Sequence, residues 1–347
     1  MKRYEFIDIG KGIGILLVVW AHILIAGPSH QLIYAFHMPF FFFVSALLFN
    51  PRKFKSFGIF VIQRAKRLLI PYVLYSIITW CIWAIFRYIR GDAVDSYFMP
   101  LLQTFIAQGS GAFMVHNSAL WFIPCLYVLE IAFYHISKLK TPVMLGICWI
   151  IALMGCMMAR IWGNQYLLTL PWNLDAAIFA LPFFGTAYAI REKLGLAELQ
   201  NYIERNRIVA WIVVIVLWAL MGVMAFCYGE CSMGSSSYLC PMWVFYIRAF
   251  IGCFALTIFS ILIARIDIAK SITRGFGWFG QNSLDILCLH IPVKGVAIIL
   301  VAKIFQPQIE VSSNAPLSAL AFVMTMIVLV PIVLVINKYF RKQDIVF

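Results

Sequence analysis

Ten uninterrupted apolar stretches constrain this 347-residue chain more than any other feature. They run at about 11–27, 32–49, 68–86, 119–136, 142–159, 174–190, 208–228, 242–264, 283–302 and 317–336. A helix needs roughly 20 apolar residues to cross the hydrocarbon core of a bilayer. Membrane-crossing strands alternate apolar and polar residues instead, and an unbroken apolar run in lipid satisfies its backbone only as a helix. The chain is 63% hydrophobic and 12% charged, whereas soluble proteins are about a quarter charged. So few charges cannot coat a soluble surface of this size. The sequence therefore predicts an all-α, polytopic membrane bundle of about ten helices. The bundle is expected to form one domain over 1–347, with no attached soluble domain, and the sequence shows no internal repeat. Lys2 and Arg3 precede the first run as in a signal peptide, but no A-x-A site follows and the run carries Lys11 and His22. It reads as an uncleaved first helix.

The net charge of +13 is sorted by position. With the N-terminus in the cytoplasm, 21 of the 27 basic residues fall on the inner side, from Lys2, Arg3 and Lys11 to Lys338, Arg341 and Lys342. Arg87, Arg90, Arg160 and Lys303 fall outside, while Arg248 and Lys294 lie within spans. The positive-inside rule then makes both termini cytoplasmic. Topology accounts for the basic excess, and nucleic-acid binding needs no place.

Nine cysteines are spread along the chain without metal-ligand spacing, so no metal site is expected. Cys227, Cys231 and Cys240 share an outer loop. Free thiols and a Cys231–Cys240 bridge are both open there, and we predict the bridge, since an extracytoplasmic face is normally oxidising.

Ionisable residues inside spans default to functional candidates. Helix 1 carries Asp8 and Lys11 and, eleven residues further on, His22. Helix 2 carries His37, helix 4 opens with Trp121 and carries Glu130, helix 6 begins near Asp175, and helix 9 has Ser283, Asp285 and His290. Asp8 and Lys11 have a plain alternative as snorkelling anchors, Glu130 as the partner of a basic neighbour, and His290 as a packing residue. His30, His116 and His135 read as solvated. His22 and His37 are correlated. They flank a turn centred on Pro28-Ser29 at similar spacing, which in antiparallel helices puts both roughly 10–12 Å below the outer turn. Lys11 shares the His22 face of helix 1, some 16 Å deeper by helical rise. The pattern predicts a polar pocket in the outer half of the membrane, reached from the cytoplasm along that face.

The stretches D-I-G-K-G-I-G-I-L-L-V-V-W-A-H (8–22) and F-H-M-P-F-F-F-F-V-S-A (36–46) resemble the opening of the acyltransferase-3 family, especially its fucose 4-O-acetylase-related branch. The family's basic-x10-His signature falls on Lys11 and His22, although many members have Arg at the first position. Ala46 replaces the usual Gly of the second element. Weaker likenesses lie at 67–72, 120–124, 174–185 and 279–290. The resemblance implies a multi-pass enzyme of the bacterial inner membrane that moves an acyl group, commonly acetyl from cytoplasmic acetyl-CoA, to a carbohydrate hydroxyl. Some members carry a soluble hydrolase-like domain. Without one, this chain is expected to finish transfer in the bundle or to hand the acyl group to an extracytoplasmic partner.

The chemistry agrees. Acyl transfer to a hydroxyl needs a base, and His is suited to neutral pH. His22 is the favoured base. His37 would orient the acceptor or stabilise developing charge, and Lys11 would hold the donor. Arg64, Lys66 and Arg67 at the foot of helix 3 are candidate cations for the CoA phosphates, with topology setting as their plain alternative. The main rival class is a transporter or flippase of a sugar-linked or anionic substrate. It calls for broken helices in corresponding halves, and the sequence shows no such pairing. A non-catalytic assembly partner gains little from paired intramembrane histidines. The acceptor, the acyl group and the oligomeric state are not encoded in any motif.

Overall fold

In the computed structural model the apolar runs become helices whose ends are set by local residues. Residues 3–25, 27–109, 113–161, 170–234, 237–238, 240–266, 270–305 and 310–341 are described. The helices are α1 (Glu5–Ile23), α2 (Pro28–Tyr34), α3 (His37–Leu48), α4 (Phe57–Arg90), α5 (Met99–Ile106), α6 (Phe122–Ile136) and α7 (Thr141–Ile161). They continue as α8 (Leu174–Leu194), α9 (Leu196–Arg205), α10 (Arg207–Cys227), α11 (Met242–Ile263), α12 (Lys270–Gln281), α13 (Ser283–Phe305) and α14 (Ala315–Ile336). A small hairpin of β1 (Cys231–Ser232) and β2 (Ser237–Tyr238) is antiparallel, pairing Cys231 with Tyr238. Among the described residues, ten segments are long and apolar enough to cross a membrane, which matches the predicted number. The chain is a multi-pass integral membrane protein.

Two segments differ from expectation. The second span is two helices, α2 and α3, broken at Phe36 (φ −147°, ψ −15°). The turn lies before Pro28 rather than at Pro28-Ser29, and Gly27 there takes φ +93°, a region glycine enters at no steric cost. Pro39 falls in the first turn of α3, where its missing N–H has no helical partner to lose. The third span is longer than its apolar run. The 34 residues of α4 extend about 51 Å at 1.5 Å per residue, well beyond the roughly 30 Å hydrocarbon core. Arg64, Lys66 and Arg67 are therefore helical. The Ser56 side chain caps α4 by accepting from the Ile59 N–H (3.3 Å), and Gly91 ends it in the left-handed region (φ +66°).

α1, α3, α6, α8 and α11 form the buried centre, whereas α7, α10 and α14 leave broad apolar faces exposed, with Ile208, Ile215, Val223 and Phe226 on α10 alone. Such faces suit lipid. α1 lies against α12 with almost no space between the backbones. A Cβ at Gly12 would overlap the Phe276 carbonyl, and one at Gly280 would overlap the Asp8 carbonyl. Asn337 donates to Asn282 Oδ1 (2.8 Å), so the start of α1, the end of α12 and the end of α14 gather at one end of the bundle. This is the basic end. The β-hairpin marks the opposite, hairpin end.

Candidate active site

Two cavities enter the bundle from opposite ends. The basic-end cavity measures about 550 Å³. Lys11, Lys53, Arg64 and Arg67 line it together with one carboxylate, Glu130, so its polar part is net positive. Arg64 grips Glu130 in a two-pronged pair, Nε to Oε2 and an Nη to Oε1. Glu130 is buried, and a buried carboxylate is tolerable only when paired in this way. Ser283, the first residue of α13, lines the same cavity. Deeper in, the walls become apolar: Ile15, Phe41, Phe122 and Leu287.

The hairpin-end cavity is about 250 Å³. His22 from the last turn of α1 and His37 from the first residue of α3 both line it, with Tyr34, Ser118 and Trp121. Its roof is the hairpin segment Cys231–Gly234. Cys231 and Cys240 are joined by a disulfide, with Cα atoms 6.4 Å apart, as predicted. Asn173 holds the roof from behind. Its Nδ2 donates to the Gly234 carbonyl (3.0 Å) and its Oδ1 accepts from the Gly109 N–H (2.9 Å).

Hydrogen bonds fix two of the imidazoles. His37 Nδ1 donates to the Ile33 carbonyl (2.8 Å). A carbonyl can only accept, so Nδ1 carries the proton and Nε2 holds the lone pair. His290 Nδ1 likewise donates to the Ile286 and Leu287 carbonyls (3.1 and 2.9 Å), leaving a buried Nε2 with no partner among the described residues. The His22 ring lies beside His290, with centroids 5.1 Å apart. Lys294, one turn beyond His290, donates to the His22 backbone carbonyl (2.5 Å). Two imidazoles and the Lys294 side chain are thus gathered where α1 meets α13.

The predicted residues divide between these places. His22, His37 and Trp121 line the hairpin-end cavity, while Lys11, Arg64, Arg67, Glu130 and Ser283 line the basic-end one. His290 touches His22. The ring neighbour of His22 among the described residues is therefore His290 and not His37, because the break at Phe36 makes His37 the opening residue of α3 instead of a mid-helix residue opposite α1. Lys66 is exposed and lines neither cavity. Asp8 pairs with Arg3 (2.7 Å) at the basic end. Asp175 accepts from the Leu170 N–H (3.1 Å) beside Asn173 and supports the roof from outside the cavity.

Two histidines read as solvated are buried. His30 is carried inward on α2, pairs with Glu230 (3.0 Å) and stacks on Tyr34 (4.1 Å), whose ring meets His37 edge-on at 4.8 Å. His116 is buried, with neither ring nitrogen bonded among the described residues, and burial pushes its imidazole down to about 4. Its neighbour Asn117 donates to the Cys288 carbonyl (2.6 Å), which draws the segment against α13. His135 is exposed, as expected. Lys294 was missed as a site residue. The signal was present, since His290 and Lys294 are spaced i, i+4 and must share a helix face.

The family model described as an acyltransferase domain matches residues 4–336, nearly the whole chain. No curated protein and no solved structure matches it.

Proposed function

The chain belongs to the acyltransferase-3 family, and from that premise we propose that it moves an acyl group, acetyl, from acyl-CoA to a hydroxyl of a cell-envelope carbohydrate. The basic end faces the cytoplasm of a bacterial cell and the hairpin end faces outward across the inner membrane. The sequence elements at 8–22 and 36–46 support a reading near the fucose 4-O-acetylase-related branch. One observation carries the reading: a net-positive cavity and a neutral, histidine-lined cavity approach each other from opposite ends of the bundle. A polyanionic donor and an uncharged acceptor need that separation.

In this reading the CoA phosphates rest on Arg67, Lys53 and Lys11, since charge-assisted contacts to phosphate are the strong ones. Arg64 is committed to Glu130 and shapes the mouth. The pantetheine arm follows the apolar wall toward α3, bringing the thioester to the junction. The acceptor sugar binds in the hairpin-end cavity, oriented by a neighbouring hydroxyl that donates to the His37 Nε2 lone pair and by stacking on Trp121, with the reacting hydroxyl toward His22. The His22 imidazole takes the hydroxyl proton as that oxygen bonds to the thioester carbonyl carbon. The tetrahedral intermediate collapses, the carbon–sulfur bond breaks, and the departing CoA thiolate takes the proton back from His22. The ester leaves on the hairpin side and CoA on the basic side. Lys294 holds the end of α1, and His290 confines the His22 ring.

Labelled acetyl-CoA incubated with purified protein and envelope glycan tests this. Label should pass to glycan with stoichiometric CoA release, and absence of both would overturn the reading. Mass spectrometry of glycans from a deletion strain identifies the acceptor. An impermeant thiol reagent should leave a cysteine at position 55 unlabelled in intact cells, and labelling there would reverse the orientation.

A further inference from the structure

The two cavities have one lining residue in common, Met38. It is the second residue of α3 and is buried. The helix changes sides around it: His37 and Pro39 line the hairpin-end cavity, and Phe41, Val44 and Ser45 line the basic-end one. α1 makes the same passage from Ile15 to His22. α13 runs from Leu287, in the basic-end wall, to His290, against His22. Three helices thus cross the junction, and among the described residues Met38 is the one that lines both spaces.

We propose that Met38 is a movable stop between the donor and acceptor cavities, and that it sets the longest acyl group the site transfers. This rests on the acyl-transfer reading above. Methionine is unbranched, with three rotatable bonds, so its thioether can swing aside without moving the backbone. A thioester carbonyl must come within about 3–3.5 Å of the attacking oxygen, which binds on the His22 side. The acyl tail beyond that carbonyl then meets Met38 and the large rings of Phe41 and Phe122. A methyl group fits in front of the thioether, and each added methylene presses it further from its rest position. In the closed position the same side chain keeps water of the hairpin-end cavity away from the thioester, which limits hydrolysis.

The test needs no identified acceptor. Purified protein in nanodiscs is given acetyl-, butyryl- or hexanoyl-CoA, and CoA release to water is measured; water oxygen bonds to the carbonyl carbon and the CoA thiol leaves with a proton. Met38→Ala should raise the butyryl-to-acetyl ratio of release tenfold or more, while Met38→Leu stays within twofold. A ratio unchanged by Met38→Ala overturns the proposal. A second measurement is independent of the donor. Ser45 is replaced by cysteine in a chain whose exposed free cysteines, Cys81 and Cys227, are serine. In proteoliposomes a small charged methanethiosulfonate added on the hairpin side should modify position 45 at least ten times faster with Met38→Ala than with Met38. Equal rates in monodisperse protein overturn the stop. Should no variant release CoA from any thioester, the donor reading fails, and the labelling rates still decide whether Met38 closes the junction.

Discussion

The two ends of the bundle hold their cavities by opposite means. At the basic end the structure relies on charge. Arg64 on α4 and Glu130 on α6 reach each other across 66 residues of sequence, in a cavity lined by further cations. At the hairpin end no Asp, Glu, Lys or Arg lines the cavity among the described residues. There the shape is held by a disulfide, by Asn173 bridging two backbone segments, and by glycines tight against Trp121. In the proposed reaction the charged donor meets the charged end, and the neutral acceptor meets the end whose shape is set by rigid backbone and aromatic surface. The histidines sit where the two regimes meet.

Chemistry at that meeting point gives the largest expected effect. Removing a general base typically costs 10²–10⁴-fold in rate. His22→Ala should insert normally and bind acetyl-CoA as wild type does, yet lose at least a hundredfold in turnover. Retention of a tenth of wild-type turnover would move the base elsewhere, with His290 next. The charged end is next in size. Arg64→Ala strands a buried carboxylate, and breaking such a pair costs about 3–5 kcal/mol. Thermal unfolding in detergent should show that loss, and adding Glu130→Gln should recover most of it. A stable single variant would mean that charge does not hold this end.

The neutral end should lose less. Replacing Cys231 and Cys240 by serine releases a short loop, a loss of about 2–3 kcal/mol in the loop-closure picture. The acceptor KM should suffer while the acetyl-CoA KM stays constant. A change in the donor KM would show that the two ends are coupled. Arg67→Ala is the converse probe: an expected tenfold rise in acetyl-CoA KM, with unfolding unchanged. Smallest is a pH effect at the hairpin side of α13. His116 is held neutral when folded, at about 4, against 6.5 when unfolded. Its contribution to stability is complete above about 6.5 and is lost as pH falls from there toward 4, because the unfolded chain then binds the extra proton. Melting temperature should fall on acidification in wild type, and His116→Asn should flatten the slope between pH 7 and pH 5.

The spans were legible because lipid makes apolar length nearly sufficient evidence. His22 and His37 were legible because a hairpin converts sequence spacing into depth. Arg64 and Glu130 were each visible as a charge in a helix, but their pairing depends on how α4 lies against α6, which no local pattern encodes. The pairing also changes the meaning of Arg64: as a donor cation it looked equivalent to Arg67, yet it is bound to a buried carboxylate. The break at Phe36 was hidden inside a continuous apolar run, with Pro39 as the one clue that a helix starts there. His290 beside His22 and Lys294 on the His22 carbonyl needed the packing of α13 on α1, 272 residues away. His30 and His116 were misread for a related reason: loop position in the sequence says nothing about what folds over a loop. His30 is covered by the Glu230 segment, and His116 is drawn under α13.

The glycine seam between α1 and α12 has a consequence for biogenesis. The Gly12 and Gly280 contacts tie the first helix made to one of the last, and His290 and Lys294 follow within fifteen residues of Gly280. At roughly 5–20 residues per second of synthesis, α1 stands in the bilayer for on the order of 10–50 s before any of these partners exists. During that interval the ribosome-bound chain carries the His22 imidazole in lipid with neither α12 beside its helix nor α13 beside its ring. The cluster around His22 is therefore among the last parts of the molecule to close, and insertion chaperones that shelter early helices should matter more to this protein than its hydrophobicity alone suggests.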